Sequence, residues 1–323
     1  MRPKVFLAKQ VPNEVEAYIA QHCDYRKWDK EEEIPRQQLL EELTDVEGLL
    51  ISGGSIDQEL LENAPKLKIV SNVSVGYNNF DTEAMKARDV MGTHTPGVLD
   101  ETVADTVFGL ILATARRIPE LDAFVKAGKW KKGSDEHVFG IDVHHAKLGI
   151  IGMGRIGEAI ARRAKFGFNM DVVYYNRSRK TEAEQKLGVV YRSLEELLQE
   201  SDFVVVMTPL TPETNRFIGR DELALMKKTA IFINASRGHT VDEVALIEVL
   251  EKGNIRGAGL DVFQQEPVDP DNKLLQMPNV VTLPHIGSAT HKTRFDMAML
   301  AANNLVKGLQ GEIPPNLVAE LKR

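Results

Sequence analysis

Cysteine is almost missing from this chain: Cys23 is the only one in 323 residues. That excludes an intrachain disulfide framework and any cysteine-cluster metal centre. Cys23 stands beside an expected strand, which fits a partly buried small side chain. The histidines are scattered, no HExxH spacing occurs, and the adjacent His144 and His145 would point in different directions in any regular element, so no metal site is expected. No stretch reaches the roughly 18 consecutive apolar residues of a membrane helix. The opening MRPKVFLAK enters a strand without a cleavable apolar segment, and a cytoplasmic protein is expected. Charge of one sign is nowhere concentrated: 40 Lys and Arg face 47 Asp and Glu, a net charge of −7. Such a balance favours solubility and gives no support to a nucleic-acid surface, so any functional electrostatics must be local.

What the chain does contain, at 147–180, is KLGIIGMGRIGEAIARRAKFGFNMDVVYYNRSRK. The apolar run 148–151 reads as a buried parallel strand. Gly152, Gly154 and Gly157 follow with GxGxxG spacing, and Ile156, Ala159, Ile160 and Ala164 continue at helical spacing. In a dinucleotide fold the three glycines serve a tight turn, close backbone approach to a pyrophosphate and close helix packing, with the anion at the helix N-terminus. A second strand at 171–175 arrives at the expected distance. After it an NAD site usually carries Asp or Glu for the ribose hydroxyls. This chain has Asn176, Arg177, Ser178, Arg179 and Lys180 instead. A carboxylate there would repel a 2′-phosphate, whereas an arginine fork binds one bidentately; NADP(H) is the expected cofactor and NAD(H) the possible second. The plain alternative is a solvated basic loop.

The length exceeds the size at which one core usually keeps growing, so two domains are expected. Strands at 5–8, 48–51, 67–70 and 90–93 alternate with helices at 13–22, 36–43, 57–63 and 81–88, which implies a parallel sheet covered on both faces. A long helix starts near Asp100, with Asp100 or Thr102 as cap, and carries Val103, Val107, Leu110, Ile111 and Ala115 as far as Pro119, which kinks it or starts a continuation to about 126. Residues 129–146 are aperiodic. Trp130 and Phe139 in that loop would pack into a second subunit or anchor the loop to its own domain. Beyond 180, strands at 202–207, 230–234, 257–262 and 280–283 and helices at 221–226 and 242–251 bring the later sheet to six strands, the count of a doubly wound nucleotide-binding sheet. A closing helix at about 289–308, with Phe295, Ala298, Met299, Ala302, Leu305 and Val306 in a stripe, can return to complete the first domain. Two crossings, near 98 and near 287, and a cleft between the domains would follow.

Ligands in such sheets bind beyond the carboxyl ends of the strands, and three polar residues stand there: Arg237, Glu266 and His285. A carboxylate favours the protonated imidazole, which makes His285 a candidate general acid and Glu266 its orienting partner. Arg237 offers a planar fork for a carboxylate and can polarise a carbonyl. Taken singly, Arg237 could be a solvated turn, Glu266 a surface loop residue and His285 a satisfied loop histidine.

Over essentially its whole length the chain resembles the D-isomer-specific 2-hydroxyacid dehydrogenases, through SVGYNNFD, HTPGVLDETVAD, LGIIGMGRIG, FINASRG, GLDVFQQEP and LPHIGSAT in that order. Within them it is similar to the glyoxylate/hydroxypyruvate reductase branch whose bacterial members also reduce 2-ketogluconate. The resemblance implies two Rossmann-like α/β domains: a doubly wound parallel dinucleotide-binding sheet, 99–287, inserted into a smaller flavodoxin-like substrate domain, 1–98 and 288–323. It implies hydride transfer between a nicotinamide and a small 2-oxo acid, giving the D-2-hydroxy acid. Arg237, Glu266 and His285 become the catalytic residues, and Val75, Gly76 and Ser288 join Arg237 and His285 around the substrate. The cofactor is assigned to Gly152, Gly154, Arg155, Ile156, Gly157, Asn176, Arg177, Ser178, Arg179, Thr208, Pro209, Thr214, Ala235, Arg237, Asp261, His285 and Gly287, with no metal. A homodimer through the helix after residue 100 and the loop near it is implied as well. Two departures stand out. Asn176 replaces the acidic residue of NAD-using members, and Lys132 and Gly133 follow Trp130 where eukaryotic reductases carry a second tryptophan, which implies a more open pocket. An NAD-linked dehydrogenase of another specificity and a dinucleotide-sensing corepressor remain the alternatives.

Overall fold

Short apolar runs can be complete strands when helices cover both faces of their sheet, and the first part of the chain is built this way. The structure is a computed structural model that describes residues 2–133 and 135–322. Met1 and Arg323, at the expected domain termini, and Ser134, in the 129–146 loop, lie outside the described residues. By internal contacts the chain divides into two units, Met1–Leu99 with Ala289–Arg323, and Asp100–Ser288.

The smaller unit runs β1 (Lys4–Leu7), α1 (Asn13–His22), β2 (Asp24–Lys27), α2 (Arg36–Glu42), β3 (Gly48–Ile51), α3 (Gln58–Asn63), β4 (Ile69–Asn72), α4 (Thr82–Ala87) and β5 (Met91–Thr93). Every residue of β3 and β4 is buried. Asp57 and Asp81 start α3 and α4 by accepting the amides of Leu60 and Ala84, the usual service of an N-cap carboxylate. The sheet order is β2-β1-β3-β4-β5, all parallel, the flavodoxin-like arrangement. The sequence reading missed β2. Its four residues, DYRK, are polar and mostly exposed, and it is a strand because it pairs with β1 at the sheet edge. Cys23, just before it, is fully buried rather than partly so, and burial pushes its thiol up to about 11.

The larger unit continues with α5 (Asp100–Ala115), α6 (Ile118–Lys126), β6 (Lys147–Ile151), α7 (Arg155–Phe168), β7 (Asp171–Tyr175), α8 (Thr181–Leu187), β8 (Val190–Tyr191), α9 (Leu194–Glu200), β9 (Phe203–Val206), α10 (Arg220–Ala224), β10 (Ile231–Asn234), α11 (Glu243–Glu251), β11 (Gly257–Leu260) and β12 (Val280–Thr282). Its sheet is β12-β11-β10-β9-β6-β7-β8. Among the described residues that is seven strands, not the expected six, because the two-residue edge strand β8 gives no periodic signal. The order reverses between β6 and β9, the place where a doubly wound sheet opens a binding crevice. Helices α8 and α9 were also missed. A capping box between Ser193 and Glu196 starts α9, a signal that was present in the sequence as S-x-x-E.

The long helix after residue 100 ends at Ala115, earlier than the expected Pro119. Arg117 takes a left-handed conformation (φ 57°) and Pro119 lies in the first turn of α6, where its missing N–H costs nothing. No residue of α6 is buried. In the loop beyond it Trp130 is 75% and Phe139 56% exposed, so neither anchors the loop to its own unit.

The last helix, α12 (His291–Leu309), belongs to the smaller unit and packs on α1, β3, β4 and β5. Thr290 caps it by accepting the Thr293 amide. Ser71 donates to the Ala301 carbonyl at 2.7 Å and the Asn304 amide to the His94 carbonyl at 3.2 Å. Gly48 of β3 leaves room for Leu305: a β-carbon there would lie 2.9 Å from the leucine methyl. Replacing the fully buried Leu305 with Ala should destabilise the smaller unit by about 3 kcal/mol, read as an earlier urea transition of tryptophan fluorescence at Trp28; an unchanged midpoint would mean that α12 does not hold this sheet.

Candidate active site

At the end of β6 the chain turns through Gly152, whose φ of 108° favours glycine. The α7 N-terminus is packed against this turn, since a β-carbon on Gly157 would lie 2.4 Å from the Gly152 carbonyl oxygen. Gly154 differs. A β-carbon there would meet nothing within 4 Å, and Gly154 caps α7 without any side-chain hydrogen bond. The helix therefore presents free amides to open space, the arrangement that receives a phosphate. Beyond β9 the Thr208 hydroxyl is buried with no hydrogen-bond partner. The Thr214 hydroxyl donates to the Pro209 carbonyl at 2.6 Å and accepts the Thr211 amide at 2.8 Å, fixing that turn. An uncapped helix start, a cradle without a β-carbon and an orphaned hydroxyl at the switch point fit a dinucleotide.

The other residues assigned to the cofactor fall around this crevice or away from it as follows. Arg155, Arg177, Ser178 and Arg179 are exposed and Ile156 and Ala235 half-buried; Arg155 lies 3.8 Å from Asp100. Asn176 accepts the Met153 amide at 2.7 Å and donates to the Met153 carbonyl at 3.3 Å. Its side chain thus holds the glycine turn, a task that spacing alone did not reveal.

Arg237, Glu266 and His285 follow β10, β11 and β12, and the loops bring them together. His285 Nδ1 lies 2.7 Å from Glu266 Oε2, while Glu266 Oε1 accepts the Phe263 amide at 3.0 Å. Burial pushes the Glu266 carboxyl up, but the His285 bond, the Phe263 amide and the charges of His285 and Arg237 outweigh it and hold the group below its ordinary value. With Nδ1 taken, His285 has Nε2 left for chemistry. His285 also has a φ of 53°, uncommon for a side chain of this size. Asp261, almost fully buried, holds that conformation by accepting the amides of Ile286 and Gly287 at 2.7 and 2.8 Å. Burial raises the Asp261 carboxyl and the two amides counter it.

Arg237 is desolvated, which pulls its guanidinium down, opposed by the Glu266 charge; an arginine nevertheless stays protonated. Its turn is shaped by buried Asn234, which donates to the Arg237 carbonyl at 3.1 Å and accepts the Ser236 amide and hydroxyl at 3.1 and 3.0 Å. Thr240 adds a bond to the same carbonyl at 2.7 Å. Next to Arg237, a β-carbon on Gly238 would lie 1.9 Å from the Phe263 carbonyl group, so only glycine lets the Arg237 turn and the Glu266 loop come this close. Asn234 and Gly238 were missed as site residues, although both stand in the quoted FINASRG. Ser288 follows Gly287, half-buried. Among the described residues no group of three or more His, Cys, Asp or Glu is placed to hold a metal, and no helix is long and apolar enough to cross a membrane.

In the smaller unit, the loop after β4 turns its carbonyls inward. His94 Nδ1 bonds the Val75 carbonyl at 2.8 Å, and the Asn72 amide bonds the Gly76 carbonyl at 2.9 Å. The amides of Val75 and Gly76 donate to no group among the described residues, and two successive free amides suit an anion.

A dinucleotide crevice with an imidazole–carboxylate pair and a desolvated guanidinium at the strand ends defines a nicotinamide-dependent oxidoreductase. The family model of the D-isomer specific 2-hydroxyacid dehydrogenase NAD binding domain matches residues 108–287. A glyoxylate/hydroxypyruvate reductase B of Yersinia pestis (strain Pestoides F) is 49% identical over 318 residues, covering 98% of each chain. Among solved structures, a protein of Thermus thermophilus is 40% identical with a TM-score of 0.89, over 98% of this chain and 100% of that one. An NADPH-dependent glyoxylate/hydroxypyruvate reductase of Sinorhizobium meliloti, in complex with NADP and malonate, is 32% identical with a TM-score of 0.87, over 100% and 99%. The chain belongs to the D-isomer specific 2-hydroxyacid dehydrogenases.

Two substitutions test this geometry. Gly238→Ala must push apart the Arg237 and Glu266 loops, costing about 1–3 kcal/mol of stability and most of the turnover; full activity in steady-state assays would contradict the close approach. Glu266→Gln keeps the shape but removes the anion that orients the ring, so reduction should slow by about 10- to 100-fold. Because the folded Glu266 carboxyl sits below its ordinary value, its stabilising contribution is complete above that value and is lost as pH falls through the lower one. Urea midpoints of wild type and Glu266→Gln should therefore converge in acid.

Proposed function

We propose that this enzyme reduces small 2-oxo acids of the glyoxylate, hydroxypyruvate and 2-ketogluconate type to D-2-hydroxy acids with NADPH. The observation that carries the reading is the His285–Glu266 pair beside Arg237 at the strand ends of a dinucleotide sheet. When bound, the reduced cofactor supplies a hydride to the keto carbon. His285 donates the Nε2 proton to the carbonyl oxygen as it becomes an alkoxide, and Glu266 orients the ring and stabilises its charged form. Arg237 polarises that oxygen and pairs with the substrate carboxylate. Catalysis is placement plus preorganised positive charge, with no reorganisation needed at the moment of transfer.

NADPH is favoured over NADH because Asn176 stands just after β7 where a ribose-binding carboxylate would, its side chain committed to Met153, and Arg177 is exposed beside it. The protein acts as a homodimer in this reading. Its support is the exposed apolar row Ile118, Val125, Trp130 and Phe139 on and after α6, a helix that buries no residue in its own chain.

Oxidation of NADPH and NADH with glyoxylate, hydroxypyruvate and 2-ketogluconate tests the reading. Turnover should be faster with NADPH, and His285→Ala should lower kcat by about 100-fold or more while leaving NADPH affinity, measured by protein fluorescence, within about threefold. Absence of turnover with every acid, despite tight dinucleotide binding, would favour a redox-sensing role instead.

A further inference from the structure

The loop after β7 carries three basic residues, Arg177, Arg179 and Lys180, and the structure uses them differently. The Arg179 guanidinium forms a fork with Glu184, Nε to Oε1 at 2.7 Å and Nη2 to Oε2 at 2.8 Å, and lies 5.9 Å from the centre of the Tyr191 ring. Glu184 is itself gripped. Tyr174 donates its hydroxyl to Glu184 Oε1 at 2.7 Å and accepts the Lys180 amide at 2.7 Å. Tyr174 is completely buried, and burial, then Glu184, pushes its phenol up to about 12, so it stays a donor throughout the working pH range.

At its other end the loop is moored by Asn176, whose side chain clasps Met153 and whose carbonyl accepts the Tyr191 hydroxyl at 3.5 Å. Between the two moorings Arg177 and Ser178 are exposed, and neither makes a hydrogen bond or ion pair with the described residues. Arg177 is felt only as a charge that lowers the Glu213 carboxyl, behind the hydrogen bonds of that group to Thr211 and its own amide.

We propose that Glu184 is a positioning residue for cofactor selection: with Tyr174 it holds Arg179 as a strut, and the 2′-phosphate of NADPH is met by Arg177 and Ser178. The assignment rests on the NADP(H) reading above. An exposed ion pair adds little stability, and the value of this one lies in ordering the loop before the cofactor arrives, so that binding does not have to order it. Arg179 would otherwise be a second phosphate ligand held back by Glu184. The two possibilities give Glu184→Gln opposite signs. A strut that loses its partner loosens the loop and weakens phosphate binding; a ligand released from a competing carboxylate strengthens it.

Calorimetric titration of the full-length protein with adenosine 2′,5′-bisphosphate and with 5′-AMP, which lacks the 2′-phosphate, separates them. Glu184→Gln and Arg179→Ala should each weaken the bisphosphate by about 3- to 10-fold, and the double variant no further, because both changes remove one strut. Arg177→Ala should weaken it by about 10-fold or more through a lost charge-assisted contact. Binding of 5′-AMP should stay within about twofold in all of them. Tighter bisphosphate binding by Glu184→Gln, additive losses in the double variant, or equal losses for both ligands would overturn the strut. If wild type itself binds the bisphosphate no better than 5′-AMP, the NADP(H) reading fails and the strut fails with it, an outcome visible before any variant is compared.

Discussion

The bond between His285 and Glu266 is the constraint on which the site depends. It takes one ring nitrogen out of play, leaves the other free, and keeps an anion beside the ring. Much of the surrounding loop structure serves that bond. Asp261 fixes the left-handed turn at His285, the Phe263 amide fixes the far oxygen of Glu266, and Gly238 removes the bulk that would separate Glu266 from Arg237. The partly exposed pair adds only a modest, acid-sensitive stability; its main service is orientation, and the cost is carried by buried groups such as Asp261 whose ionised form burial disfavours.

The cofactor crevice rests on a different principle, the absence of atoms. Gly157 and Gly152 let a helix start directly against a strand end, and Gly154 leaves open space where an anion approaches uncapped amides. Asn176 links this turn to the loop after β7, so a residue just beyond that strand also braces the glycine turn. The glycine turn and the loop after β7 are thereby coupled through one side chain.

How much of this could be read from the sequence follows from how each element is stabilised. A strand buried along its whole length, such as 48–51, is apolar throughout and was placed to the residue; 171–175 was too, through its apolar centre, although it opens on the exposed Asp171. The edge strands β2 and β8 were invisible because backbone pairing with a neighbour makes them, and DYRK or VY carries no pattern of its own. Asp100–Ala115 was overextended because apolar periodicity runs on past the left-handed Arg117. The strand-end positions of Arg237, Glu266 and His285 were legible from spacing. The supports were not: a buried Asn234 or a clasping Asn176 is recognised only when its partners are known. Arg177 and Arg179 were indistinguishable in the sequence, and it is Glu184, five residues on from Arg179, that separates them.

Helix α12 gives the smaller unit an unusual history. The strands it covers precede the inserted unit, yet the helix that shields them follows it. During synthesis at the ribosome, which runs at about 5–20 residues per second, the N-terminal sheet must wait with one flank bare while the inserted nucleotide-binding unit has all of its own strands in hand. The dinucleotide fold can therefore close before the unit into which it is inserted has received its last helix.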